Sequence, residues 1–269
     1  MRLRSWSTEY QYLLELDVPI TAETSVAVPE LTRLCREMLG KDGKKKRLIE
    51  ERFDVIREKH ESLRAKWLGE ARATATRKEI ATAFLALELW ETIKKEDWVL
   101  VNGNANLWAR RLWEWTKPYQ YLGHSGGGGL GYELPASIGA ALAYRGTDKL
   151  CVDIQDDGAA LYTPSALWTA AHHQIPILIV MYNNRSYYNS ENHEISMAKS
   201  RNRSVENAGI GTHVDNPPVN FSKMADSYGI YGEGPIQRPE DLRPALQRAM
   251  KVVKEKRVPA LVDVITEAR

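Results

Sequence analysis

Two rhythms of apolar and polar positions divide this chain. Up to about residue 75 the apolar residues recur at helical spacing among many charges. Leu31, Leu34, Cys35 and Met38 share one face of a helix predicted over Val28 to Leu39 and ended by Gly40, and Lys44 to Leu68 continues it with little Gly or Pro. From Arg77 the rhythm changes. A helix carrying Ile80, Phe84, Leu87, Leu89 and Trp90 leads into a short strand (Trp98 to Asn102), a Gly103-Asn104 turn and a Trp-rich helix with Leu107, Trp108, Leu112 and Trp113. After a glycine run, a helix from about Leu134 to Tyr144 is expected to pack its Ile138, Ala141 and Leu142 face on a sheet. Short apolar runs at Leu150 to Ile154 and Ile175 to Tyr182 read as buried strands, joined by a turn (Gln155 to Ala159) and a helix opening near Thr163-Pro164. Helices at Ser222 to Tyr228 and Pro239 to Lys256 flank a short strand, Gly229 to Tyr231, and Ala260 to Thr266 reads as the last strand. No internal repeat is found. This order predicts an α/β fold, a three-layer parallel sheet with helices on both faces, over residues 76–269, preceded by a helical N-terminal segment over 1–75.

The βαβ unit at the centre carries the candidate chemistry. A right-handed crossover sets the ends of both strands at one sheet edge, where α/β sheets bind ligands. Asp157 and Asn184 are therefore expected side by side. A carboxylate and an amide are hard oxygen donors, and Mg²⁺ takes one or two such groups together with substrate phosphate oxygens. The ordinary alternative is that Asp157-Gly158 is a turn and Asn183-Asn184 a loop, as these residue types usually are. The glycines Gly126 to Gly129 would let a backbone approach a flat ligand closely. A flexible linker is the alternative, and it predicts no helix after them.

Composition narrows the class. A chain of 269 residues, 43% hydrophobic, can hold one large domain with an appendage. The net charge of +2 argues for no nucleic-acid partner, and the basic run Lys41 to Arg47 reads as a solvated loop beside a helix. Two cysteines, Cys35 and Cys151, suggest neither a disulfide framework nor a thiolate metal site, so a reducing cytoplasm is the expected home. No apolar run reaches the length of a membrane span, and the start MRLRSWSTEY lacks the apolar core of a signal peptide.

The segment Leu150 to Tyr188 resembles the thiamine diphosphate motif, a Gly-Asp-Gly followed after a fixed interval by Asn-Asn, and the interval and the Asn pair match. The segment HSGGGGLGYELPASIGAALAY, His124 to Tyr144, resembles the glycine-rich turn and helix that precede this motif in the benzoylformate decarboxylase and acetolactate synthase family. The resemblance covers roughly residues 77–269 and implies the diphosphate-binding domain of a thiamine diphosphate-binding fold. By that resemblance the metal ligands are the Asp157 carboxylate, the Asn184 amide and the Ser186 backbone carbonyl. The diphosphate contacts fall on Gly158, Ala159, Ala105 and Asn106, and the Gly128 backbone meets the aminopyrimidine amine. Leu130 is either the prop that keeps the cofactor bent or a core leucine, and His124 either an acid-base group or a structural histidine. His172 and His173 read as surface or packing residues, whereas Tyr187, Tyr188, Asn189, His193 and Glu194 fall where the family covers the cofactor and shapes the substrate pocket. The motif departs from the family at its first glycine, which is Asp156 here.

The resemblance implies thiamine diphosphate and Mg²⁺ as cofactors. It also implies decarboxylation of a 2-oxo acid, ligation of the resulting acyl unit to an acceptor, or both. Family members carry, before the part seen here, a middle domain and a pyrimidine-binding domain whose Glu activates the cofactor ring. Residues 12–39 resemble the tail of that middle domain. The expectation is a split enzyme in which a separate subunit brings the pyrimidine-binding domain and its Glu, as a heterotetramer or larger hetero-oligomer. Two alternatives stay open: a non-catalytic structural or regulatory subunit, and a 2-hydroxyacyl or aldehyde lyase of the same cofactor family. FAD is not expected.

Overall fold

A computed structural model describes residues 17–18, 20–40, 43–102, 107–123 and 129–267. The chain divides into two compact units, Met1–Leu63 and Arg64–Arg269. The first holds α1 (Thr24–Gly40) and the start of α2 (Gly43–Ala73). α1 buries none of its residues, and the one buried residue of α2, Ala71, belongs to the second unit.

The second unit is built on a sheet of five parallel strands: β1 (Trp98–Leu100), β2 (Leu150–Asp156), β3 (Leu178–Asn183), β4 (Tyr231–Ile236) and β5 (Ala260–Ile265), in the spatial order β1-β2-β3-β5-β4. Both faces are covered, and the central strands are accordingly near-continuous apolar runs. Val152, Ile154, Val180 and Val262 point into one core, shared with α3 (Thr82–Ile93), α4 (Leu107–Leu112) and α10 (Pro239–Lys256). Their neighbours Val99, Cys151, Ile179 and Leu261 point into the other, under α5 (Glu133–Ala143), α7 (Ala166–His172) and α9 (Phe221–Ser227). This alternation is the period of two that a strand imposes. The expected three-layer α/β architecture is the one found.

Each layer is pinned by polar as well as apolar contacts. Trp98 is met edge-on by Trp90, Trp113 and Trp115 at centroid distances of 5.9, 5.2 and 5.1 Å, and the Trp113 indole donates to the Ala86 carbonyl at 2.9 Å. α3 and α10 are clamped by a forked pair in which Arg243 donates to both oxygens of Glu88 at 2.5 and 2.8 Å. Asp263 of β5 accepts from the Asn183 amide at 3.0 Å and the Phe221 backbone N–H at 2.9 Å, which fixes the entry to α9. Among the described residues, no helix is long and apolar enough to cross a membrane.

Several boundaries differ from the sequence reading. Ile80 pairs with Thr266 in a parallel bridge, so α3 begins only at Thr82. β2 continues through Asp156, and the turn expected after it is the short helix α6 (Asp157–Ala160). Leu142 is exposed: Leu134, Ile138 and Ala141 define the inward face of α5, and Leu142 falls at its rim. Gly229 is not in a strand. At φ +81° it ends α9, with its N–H on the Asp226 carbonyl and that of Ile230 on the Ala225 carbonyl, and β4 starts two residues later.

One buried charge stands out. Asp153 of β2 has no solvent exposure, and neither carboxylate oxygen has a hydrogen-bond partner among the described residues. Burial pushes its pKa up to about 7; the nearby Asn102 and Ser137 side chains oppose the shift, and the Asp156 and Glu133 carboxylates add to it. An unfolded Asp titrates near about 3.9, so the folded chain holds this proton more tightly. The stability it contributes is full below about pH 4 and is lost as pH rises through about 7. Asp153→Asn is therefore expected to stabilise the chain by roughly 1–3 kcal/mol at about pH 8 and to flatten the fall in Tm between about pH 5 and pH 8. Thermal unfolding at the two pH values checks this; an unchanged fall in Tm would refute it.

Candidate active site at the ends of β2 and β3

β2 and β3 pair in register up to Asp156 opposite Tyr182, so the residues after both strands emerge together at the same edge. Asp157 opens α6 and is 2% exposed; Asn184 follows β3 and is 8% exposed. One Asp157 oxygen accepts the Gly158 N–H at 2.8 Å, and the other accepts the Arg185 N–H from across the strand pair at 2.6 Å. The Asn184 side-chain oxygen accepts the Ser186 N–H at 3.0 Å. Burial pushes the Asp157 pKa up to about 6 against the pull of these N–H donors.

The loop after Asn184 is tied down from its far side. The Ser186 hydroxyl donates to Glu191 at 2.6 Å, and the other Glu191 oxygen pairs with His213 Nε2 at 3.0 Å. These contacts hold the Glu191 pKa below its usual value, and its partner Glu191 raises that of His213. Glu191 lies in α8 (Tyr188–Ser200), and an antiparallel bridge joins Ser186 to His213. A cavity of about 420 Å³ opens beside this loop, lined by Asn184, Arg185, Ser186, Glu191, His213 and Thr266 among others.

Two glycines are required by close packing. A Cβ on Gly158 would lie 2.4 Å from the Tyr187 ring, whose hydroxyl donates to the Gly158 carbonyl at 3.2 Å. Gly131 has φ +84°, and a Cβ there would lie 2.6 Å from Tyr162 Cβ; the Thr163 hydroxyl donates to the Gly131 carbonyl at 2.9 Å. The end of the glycine run is thereby joined to the residues that follow α6. Leu130, just before it, is 50% exposed and does not sit in either core.

The structure thus brings together Asp157, Gly158, Ala159, Asn184 and Ser186. His124, Ala105, Asn106 and Gly128 lie outside the described residues. Asp156 has φ −72° and ψ 140°, ordinary extended backbone, so its position in the motif makes no conformational demand for glycine. Sequence reasoning missed Arg185, held at φ +58°, and the Ser186–Glu191–His213 chain. An arginine carries no signal for a left-handed turn, and α8, which buries none of its residues, has no apolar stripe to reveal it.

No cluster of three His, Cys, Asp or Glu that could hold a metal occurs among the described residues. The donors at this edge are instead one carboxylate, one amide and backbone oxygens. Each side-chain oxygen keeps a second lone pair beyond the hydrogen bond it accepts. That set suits a hard divalent cation that retains waters and shares oxygens with a diphosphate, so Asp157, Asn184 and Ser186 fit Mg²⁺.

Comparison with known proteins places the chain among thiamine diphosphate enzymes by sequence and fold. An acetolactate synthase catalytic subunit from Aspergillus candidus is 30% identical over 167 residues, covering 62% of this chain and 22% of the relative. An acetolactate synthase large subunit from Buchnera aphidicola is 27% identical over 164 residues, covering 61% and 27%. The chain therefore spans about a quarter of the length of the curated relatives it matches. Among solved structures, the thiamine diphosphate-dependent 4-hydroxybenzoylformate decarboxylase of Rhodococcus jostii RHA1 has the same fold, with a TM-score of 0.59 at 24% identity over 72% of this chain and 34% of that one. The benzoylformate decarboxylase of Polynucleobacter necessarius gives 0.57 at 17% identity, over 71% and 34%. The family described as thiamine pyrophosphate enzyme, C-terminal TPP binding domain, matches residues 102–264, more than half of the sequence, and the chain belongs to that family.

Proposed function

We propose that this chain supplies the diphosphate-and-cation half of a thiamine diphosphate site, in an enzyme that decarboxylates a 2-oxo acid, ligates the resulting acyl unit to an acceptor carbonyl, or both. The observation that carries this reading is the pairing of Asp157 with the Asn184–Ser186 loop through the 2.6 Å Arg185 N–H bond. It sets a buried carboxylate and an amide oxygen at one sheet edge.

When bound, the cofactor supplies the electron sink that lets carbon dioxide leave a 2-oxo acid. The protein's share is position and charge. The Asp157 carboxylate, the Asn184 amide and the Ser186 carbonyl hold Mg²⁺, while Gly158 and Ala159 present main chain to the diphosphate. Leu130 offers an exposed apolar side chain as a prop for the bent cofactor. Ala105, Asn106, Gly128 and His124 complete the proposed set, as further diphosphate contacts, the aminopyrimidine contact and an acid-base group. The carboxylate that acts on the aminopyrimidine is assigned to a pyrimidine-binding domain on a separate subunit, in a heterotetramer or larger hetero-oligomer. A reducing cytoplasm suits the two free cysteines, Cys35 and Cys151.

Calorimetric titration with Mg²⁺ and thiamine diphosphate tests the cation site. Asp157→Ala is expected to weaken cofactor binding at least about 100-fold, roughly 2.7 kcal/mol, with the fold intact by circular dichroism. Unchanged binding would remove Asp157 from the site. Turnover tests the partner. The purified chain with thiamine diphosphate, Mg²⁺ and pyruvate or benzoylformate is expected to release no carbon dioxide above background until a pyrimidine-binding subunit is added. Robust turnover by this chain alone would sink the two-subunit arrangement.

A further inference from the structure

The first half of α2 carries a feature that the cofactor site does not use. Ile49, Phe53, Ile56, His60 and Leu63 follow one another at alternating steps of four and three residues, the spacing of a coiled-coil seam. All five positions are exposed. Ile49, Phe53, Ile56 and Leu63 are between 43% and 61% accessible, so the helix presents an apolar stripe exposed to solvent, with only the Arg57 guanidinium of the same helix, 5.7 Å from the Phe53 ring centroid, lying over it among the described residues. Such a stripe on a folded chain marks an interaction surface.

The charges beside the stripe say what covers it. On one flank the positions next to the seam are Lys45, Arg52 and Lys59, all basic; on the other they are Glu50, Arg57 and Arg64. The acids Glu51, Asp54, Glu58 and Glu61 lie on the outer face instead. Arg57 is already engaged by Asp54 at 3.0 Å within the helix. Pairing with a second copy places like charges together in either direction. An antiparallel pair sets the Lys45, Arg52 and Lys59 flank against itself and only Glu50 against Arg57; a parallel pair sets Arg52 against Arg57 and Lys59 against Arg64 and only Lys45 against Glu50, so like charges outnumber unlike ones either way. Flanking charges of this kind decide partner choice by repulsion as well as attraction.

We propose that the α2 seam from Ile49 to Leu63 is a docking site for an amphipathic helix of another protein, one with aliphatic seam residues flanked by Glu or Asp. This stands apart from the reaction assigned above, since the stripe and its basic flank would recruit such a helix whatever the chemistry. His60 in the middle of the seam is the one polar position and favours a single register.

The probe is a synthetic helix of about four heptads with Leu at the seam positions and Glu at every flanking position, compared with the same helix carrying Lys on its flanks. Neither pairs with itself at neutral pH, because its own flanks repel. Fluorescence anisotropy against the full chain is expected to show the acidic helix binding at least about tenfold tighter than the basic one, with an advantage that shrinks as salt rises. Arg52→Glu with Lys59→Glu should reverse the preference, and both sites are solvent-facing, so circular dichroism should be unchanged. Equal binding of the two helices, or binding of neither, overturns the proposal. So does a dimer of the chain alone, seen by sedimentation and abolished by Phe53→Asp, which would make the occupant a second copy.

Discussion

The site depends on the register between β2 and β3. Because Asp156 stands opposite Tyr182, the first residue of α6 and the loop after Asn183 leave the sheet at the same level, and the Arg185 N–H reaches the Asp157 carboxylate at 2.6 Å. A one-residue slip would turn every side chain of the strand to the other face and break that bond. The register is held by the two cores, which take alternate residues of each strand, and by Asp263, which ties β5 to Asn183 and to the start of α9. The left-handed backbone at Arg185 is what aims its N–H back toward β2, and the Ser186–Glu191–His213 chain holds that loop from outside. Strain of this kind persists only where the surroundings over-determine it.

Burial gives the same arrangement its chemical meaning. A carboxylate that is almost wholly removed from water is a poor anion on its own, and the N–H groups around Asp157 only partly compensate. In the proposed site, a cation shared with a diphosphate would supply what is missing. Asp153, four residues earlier and inside β2, is the contrasting case: an acid buried within the layer, where folding favours the protonated form.

Legibility in the sequence followed burial. β2, β3 and β5 are buried on both faces, and their mostly apolar runs are visible in the sequence; α10 can be read to its ends because Pro239 opens it and its apolar stripe is regular. β4 is half-exposed, and its sequence Tyr-Gly-Glu-Gly-Pro-Ile has no alternation to betray it. At the site, Asp157 and Asn184 could be placed together from the βαβ order alone. Arg185 could not be singled out, since its role lies in its backbone. Glu191 and His213 find each other across 22 residues with no local pattern linking them. The α2 seam was legible only as helical spacing; its exposure is a property of the folded chain.

In the proposed site, Asp157 and Asn184 hold the cation that anchors a thiamine diphosphate. Crystals of the chain grown with Mn²⁺ in place of Mg²⁺ and with thiamine diphosphate, measured at the manganese absorption edge, test it most directly. One anomalous peak is expected roughly 2.0–2.3 Å from an Asp157 carboxylate oxygen and from the Asn184 side-chain oxygen, beside the diphosphate. A cation bound elsewhere, or a diphosphate seated without one at this edge, would contradict it.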